Sequence, residues 1–224
     1  MEISASTVNI LKNFASINSN IVINPGNTLM TVAEARNVLA LANVSETFES
    51  MVGIYDLQEF LNVLNLVDRP TLRFEPKNMM IGGDGGRTLI KYFYSDPEML
   101  TAPTKPIEMP SREVTFDLDQ GTLTNLKRAA SVLGHGHLAI EPVGGSIQLS
   151  VVDLENNTSN VYSVEVAGEY ELDDFKFVLN ISNLKMIPGD YKVSISKQLI
   201  SEFVSSDGNI TYWLALEKSS EYGE

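Results

Sequence analysis

Two stretches of the chain carry apolar residues at helical spacing, and they match each other. In the first, Val8, Ile10, Leu11, Phe14 and Ala15 fill one side of a helical wheel, and Ser6, Asn9, Lys12, Asn13 and Ser16 fill the other. In the second, Leu123, Leu126, Ala129, Ala130 and Leu133 turn inward while Gln120, Thr124, Lys127, Arg128 and Ser131 turn out. The offset that carries Lys12 to Lys127 also carries Leu11 to Leu126, Ala15 to Ala130, Ser16 to Ser131 and Ile17 to Val132. Each run is followed by a short apolar segment (21–23 and 138–140) and then by a glycine-containing turn (25–27 and 144–146). A second helical run follows in each half, 56–61 and 180–185, opened by the N-capping residues Asp56 and Asn180. Alternating patterns at 71–74, 89–94, 148–152, 161–166, 191–196 and 212–217 predict strands. Each half therefore reads helix, strands, helix, strands: an α+β fold with antiparallel sheets, built from a duplicated domain.

The proline-rich run Ala102-Pro103-Thr104-Lys105-Pro106-Ile107-Glu108-Met109-Pro110 lies near the middle. Prolines fix φ and remove ladder donors, so this segment is expected to be extended and to connect domains. The boundaries that follow are a first domain over 1–101, a connector over 102–112 and a second domain over 113–224.

Composition narrows the chemistry. The 224 residues hold 29 acids against 16 bases, a net charge of −13, and no cysteine. The absence of cysteine excludes a disulfide scaffold, a thiol nucleophile and a cysteine-zinc module. The two histidines, His135 and His137, stand at i and i+2, where an extended segment points them to opposite faces, so no metal site is expected. The run Gly82-Gly83-Asp84-Gly85-Gly86-Arg87 lacks the Gly-Lys-Ser/Thr ending of a phosphate-binding loop and reads as a hairpin turn. The paired acids Asp117/Asp119 and Asp173/Asp174 are explained by cap and turn positions. No nucleophile–base pair is visible, so no catalytic residue and no cofactor is expected. There is no basic leader and no apolar run long enough to span a bilayer, so the expected partners do not include a membrane and the compartment is cytosolic.

A net charge of −13 argues against a conventional nucleic-acid reader, which needs a basic footprint. The helical runs depart from that average: Lys12, Lys127, Arg128 and Lys185 stand there against Glu59 alone. Two readings remain open from this count. Few charges can divide this way by chance, or the helices present a neutral-to-basic surface suited to lying near phosphates without gripping them.

Several segments, in order along the whole chain, resemble the sliding clamps of large tailed bacteriophages. They are Leu11-Lys12-Asn13-Phe14-Ala15-Ser16-Ile17-Asn18-Ser19, Ile54-Tyr55-Asp56-Leu57 with Phe60-Leu61, the connector 102–110, and Asn183-Leu184-Lys185-Met186 with Pro188-Gly189-Asp190-Tyr191-Lys192. The resemblance implies a DNA-clamp fold: two similar domains, each with two helices lining a ring and antiparallel sheets outside. It implies a homotrimer around double-stranded DNA, held without sequence specificity, that tethers a DNA polymerase, is loaded by a separate ATP-dependent clamp loader, and serves late transcription in the cytoplasm of an infected bacterium. Lys12, Asn13, Lys127, Arg128 and Lys185 would then face DNA. Ile107 and Met109 would border a pocket for partner peptides, or fold back onto the core. A competing reading is an acidic structural or adhesion β-protein of a virion, which has no reason to duplicate two helices.

Overall fold

The computed structural model describes residues 1–223 except Asp84, Gly85 and Asp173. The chain divides into two compact units, Met1–Pro106 and Ile107–Glu224.

Unit 1 runs α1 (Ala5–Ile17), β1 (Ile21–Ile23), β2 (Gly26–Val32), β3 (Val38–Phe48), β4 (Val52–Ile54), α2 (Leu57–Leu64), β5 (Thr71–Phe74), β6 (Asn78–Gly82) and β7 (Leu89–Phe93). β1 pairs with β4, β2 with β3, and β5-β6-β7 form a meander, all antiparallel. The meander pairs Gly82 with Leu89, so the glycine run predicted as a hairpin turn joins paired strands, although its Asp84 and Gly85 lie outside the described residues. α1 buries Ile10, Leu11, Phe14 and Ile17, and α2 buries Leu57, Phe60, Leu61 and Leu64. The two helices pack on each other, and α1 also lies on β2 and β3. Phe14 and Leu11 are both fully buried. Side chains of this size contribute about 1.5–3 kcal/mol each when removed from water, which is what holds in place a 13-residue helix that would be marginal by itself.

Unit 2 runs β8 (Val114–Leu118), α3 (Gln120–Leu133), β9 (His137–Val143), β10 (Ser146–Val152), β11 (Tyr162–Val166), β12 (Gly168–Tyr170), β13 (Phe175–Asn180), a 3-10 turn (Ile181–Asn183), β14 (Tyr191–Ser196), β15 (Ile200–Ser205), β16 (Ile210–Ala215) and β17 (Glu221–Tyr222). Its strands lie in the orders β11-β10-β9-β13-β17 and β12-β8-β14-β15-β16. Gly144 and Gly145, with φ of 54° and 88°, make the two-residue turn between β9 and β10, a conformation that favours glycine at both positions. Asp173, one member of the acid pair predicted to sit in a turn, lies outside the described residues.

The duplication extends to matching backbone features. α1 starts after Ser4 (φ −74°, ψ 154°) and α3 after Asp119 (φ −73°, ψ 156°), the same offset and the same geometry. Each cap accepts from the N–H three residues on, Thr7 and Thr122. Glu2 bridges Thr71 of β5 in unit 1, and Asp117, its counterpart in unit 2, pairs with Lys192 of β14. The meander β5-β6-β7 is matched by β14-β15-β16.

One expectation fails. The second helical run of unit 2 is a single 3-10 turn, so among the described residues the units carry two α-helices and one. Asn180 is an N-cap as predicted, but its Oδ1 accepts from both Ser182 N and Ser182 Oγ, which tightens the turn at once. The chain also has four fewer residues between cap and next strand here (181–190) than in unit 1 (57–70), about one helical turn less.

Candidate nucleic-acid interface

The outward faces of α1 and α3 are alike in chemistry. Ser6, Asn9, Lys12 and Ser16 are exposed on α1, and Gln120, Thr124, Arg128 and Ser131 on α3. Neither helix contains an aspartate or glutamate anywhere along its length. Both faces are therefore hydrogen-bond-rich, carry isolated cations and have no carboxylate of their own, although Asp119 and Asp190 are exposed at the N-terminus of α3.

The predicted contact residues are placed unequally. Lys12 is exposed on α1, with Asn13 half-buried beside it. Arg128 is exposed on α3, but its neighbour Lys127 is half-buried, and that burial lowers the pKa of its ammonium. Lys185 is exposed just past the 3-10 turn, where its N–H bonds Asn183 O at 2.7 Å, so it lies on a loop and not on a helix. Lys127 and Arg128 share one helix, while Lys12 belongs to the other unit. Ile107 and Met109 are both half-buried. An 830 Å³ cleft in unit 2 is lined by Thr115, Asp117, Lys192, Ser194 and Glu202 among others, and by neither Ile107 nor Met109.

Residues that hold these faces in place were missed by sequence reasoning. Glu46 of β3 is buried at 7% exposure, and its carboxylate accepts from Ser4 N–H and from the hydroxyls of Thr7 and Ser45. Burial alone would raise its pKa, but the hydrogen bonds from Thr7 and Ser4 together outweigh burial and hold it below the usual carboxylate value. The charge also sits at the positive end of the α1 dipole. In unit 2 Asp190 accepts from Gln120 N–H at 2.7 Å and does the same for α3. A signal for Glu46 existed: in Val44-Ser45-Glu46-Thr47-Phe48 the alternation puts Val44, Glu46 and Phe48 on the buried face. Asp119, the α3 cap, is held below the usual aspartate value by hydrogen bonds from Thr122.

Among the described residues no cluster of three or more histidines and acids is disposed to hold a metal. The His135 Nε2 lies 2.8 Å from the Asn160 carbonyl. No helix of the described residues is long and apolar enough to cross a membrane.

Residues 4–81 match the DNA polymerase processivity factor family, and residues 115–218 match the C-terminal part of the gp45 sliding clamp. Three phage proteins named as sliding clamps align over nearly their whole length. That of Vibrio phage KVP40 is 33% identical over 97% of this chain and 99% of its own. Those of Escherichia phage RB69 and Enterobacteria phage T4 are 31% and 33% identical, each over 99% of both chains. In fold the chain is similar to the proliferating cell nuclear antigens of Entamoeba histolytica (TM-score 0.69, 14% identity, 94% of both chains) and Thermococcus kodakaraensis (TM-score 0.70, 17% identity, 96% of this chain and 98% of the other). The competing reading as a structural or adhesion β-protein gains no support from any of these matches. Two family matches that cover most of the chain, and full-length relatives at about one residue in three, leave one conclusion: the chain belongs to the sliding clamps, the processivity factors of phage DNA polymerases.

Proposed function

We propose that this processivity factor, which is not an enzyme, works as a closed ring of three copies around duplex DNA. It tethers the replicative polymerase in the cytoplasm of an infected bacterium, and a separate ATP-dependent loader opens it. The observation that carries the reading is the pair of acid-free helix faces on α1 and α3, at equivalent places in two repeated units of an otherwise strongly acidic chain.

A topological tether needs no grip. The ring stays on DNA because it cannot fall off, so few phosphate contacts suffice and sliding stays fast. Exposed Lys12, Arg128 and Lys185 and half-buried Lys127 supply long-range attraction, while the Ser, Asn, Gln and Thr around them supply replaceable hydrogen bonds. With screening over ~8 Å at physiological salt, DNA in the hole feels the lining more than the acids elsewhere.

Ring closure also gives a purpose to exposed sheet edges. β7 is an edge strand of its meander, with Leu89 and Phe93 each 64% exposed around Lys91. β11 is the edge of its own sheet and carries Glu165, with Val161 exposed just before it. Apolar unpaired edges are hazards unless a partner covers them, and the charges on these two are opposite. Pairing β7 of one copy with β11 of the next would cover both.

The test is mass and topology together. The chain should sediment at about three times 24.7 kDa. Loaded onto circular duplex DNA with loader and ATP, it should be retained, and cutting the circle should release it. A monomer at high concentration, or equal retention on circular and linear DNA, would sink the ring reading. Changing Lys12, Lys127, Arg128 and Lys185 to glutamate should impair loading or retention with the trimer intact. Full processivity of that variant would remove those four residues from the DNA face.

A further inference from the structure

The two units diverge where α1 and α3 end. Gly134 closes α3 in the left-handed conformation (φ 71°), the usual helix stop. α1 stops on Asn18, in extended conformation (φ −142°), buried at 3% exposure. At the offset that superposes the helices its counterpart is Leu133, so the amide is not part of the repeated design.

The backbone N–H and both ends of the side-chain amide of Asn18 are occupied. Its N–H donates to Phe14 O at 2.9 Å and ends the helix. Its Oδ1 accepts from Asn20 N–H at 3.1 Å. Its Nδ2 donates to Val32 O at the end of β2 (2.8 Å) and to Thr101 O (3.3 Å). Thr101 immediately precedes the proline-rich connector.

A second contact fixes the same stretch. Ser95 N–H donates to Gly53 O of β4 at 2.9 Å, and a Cβ on Gly53 would lie 2.4 Å from Ser95 O and 3.2 Å from Leu100 Cδ1. The chain from Ser95, through a 3-10 turn at Pro97–Met99, thus packs against β4 at Ser95 and Leu100 and is tied off at Thr101 by one side chain. Beyond it, among the described residues, no hydrogen bond involves 102–110. The next ties are in unit 2, where Arg112 pairs with Glu202 at 2.9 Å and buried Glu113 accepts from Ser111 Oγ and Lys197 N–H.

We propose that Asn18 is the positioning residue of the connector: through Thr101 it sets where the strap leaves unit 1 and how far it can move, and so how Ile107 and Met109 are presented to a partner. The backbone N–H of the same residue closes the helix that carries Lys12. The end of α1 and the connector therefore meet at one buried residue, its main chain holding the helix and its side chain the strap. The partner half of this inference rests on the reading of the connector as a partner surface.

The test exploits the absence of cysteine, because a single introduced thiol takes a label cleanly. A spin label is placed at exposed Thr104 (T104C), with exposed Asn157 (N157C) as the control site in unit 2. Asn18→Ala removes the tie. Asn18→Asp keeps the size and the acceptor for Asn20 but loses the donor, and serves if the alanine variant folds poorly. Both should abolish the immobilised component of the spectrum at 104 and leave that at 157 unchanged. In unlabelled protein both should weaken binding to the phage's own DNA polymerase, measured at equal trimer content. An unchanged spectrum at 104 in both variants overturns the proposal. A mobilised 104 with unaltered polymerase affinity upholds Asn18 as the anchor and overturns the connector as the partner surface.

Discussion

The backbone N–H of Ile181 donates to the carbonyl of Gly136 at 2.9 Å. In unit 1 Leu57 does the same to Ser19 at 2.7 Å. Ile181 and Leu57 each follow an N-cap, Asn180 and Asp56, and each acceptor lies in the link between the long helix and the next strand. The second turn of each unit is therefore tied to the end of the first helix by one main-chain bond. The tie is the same in both units although one turn is the α-helix α2 and the other is 3-10. Side chains along α2 and the 3-10 turn were free to differ because a backbone bond does not depend on them.

Glu46→Ala should destabilise unit 1 by about 1–3 kcal/mol, because it strands the Ser4 N–H and Thr7 hydroxyl inside the protein. Denaturant unfolding monitored by circular dichroism checks this. The pH dependence has a definite sign. The folded pKa lies below the ordinary value of 4.5, so the carboxylate contributes stability above that pH and loses it as pH falls through the folded value. Wild type and Glu46→Ala should converge in stability as the medium is acidified below pH 4.5. A gap that stays constant across that range would contradict the charge-based account.

Trp213, the single tryptophan, is buried in unit 2, where its Nε1 donates to Glu202 Oε1 at 3.1 Å while Arg112 holds the other carboxylate oxygen. Arg112→Ala leaves Glu202 largely buried with half its partners. The fluorescence-detected unfolding midpoint should fall, by about 1–3 kcal/mol in free energy. Emission that ignores the substitution would mean the guanidinium adds nothing to the site.

Alkaline titration should find tyrosines that refuse to ionise. Burial pushes Tyr92 and Tyr191 up to about 12, and Tyr212 further. Tyr191 also donates to Ile187 O, and Tyr212 accepts from Ile187 N–H at 3.2 Å. A folded pKa above the unfolded value near 10 gives stability that is complete below pH 10 and is lost as pH rises past it. Phenolate absorbance should therefore reach its full value only with unfolding; complete ionisation of all eight tyrosines in folded protein would refute the burial.

Gly134→Ala should cost about 1 kcal/mol, since φ is 71° and no atom lies within 4 Å of the added methyl. The loss is conformational alone. A larger drop, read by thermal unfolding, would point to packing that the fold does not contain.

Much of the architecture was legible. Asp119 and Asp56 mark helix starts, and Leu11 and Leu126 the matching buried faces, because caps and apolar periodicity are local properties, whereas Asn180 opens only a 3-10 turn. Lys12 and Arg128 are exposed for the same reason: a wheel fixes which face is polar once the other is buried. The half-burial of Lys127 was not legible, since a flank position is decided by what packs beside it.

The sequence by itself determined the duplication, the α+β class and the acid-free faces of two helices, because each follows from short-range periodicity within an element or from the same pattern recurring at one offset. Only the tertiary structure decided how those helices are held. Glu46 reaches Ser4 across 42 residues and Asn18 reaches Thr101 across 83. It also decided that the run after Asn180 closes as a single turn, under the constraint of a nearby β14. Such ties join groups distant in sequence, so no periodicity announces them, and they exist only once the strands have brought the partners within hydrogen-bonding distance.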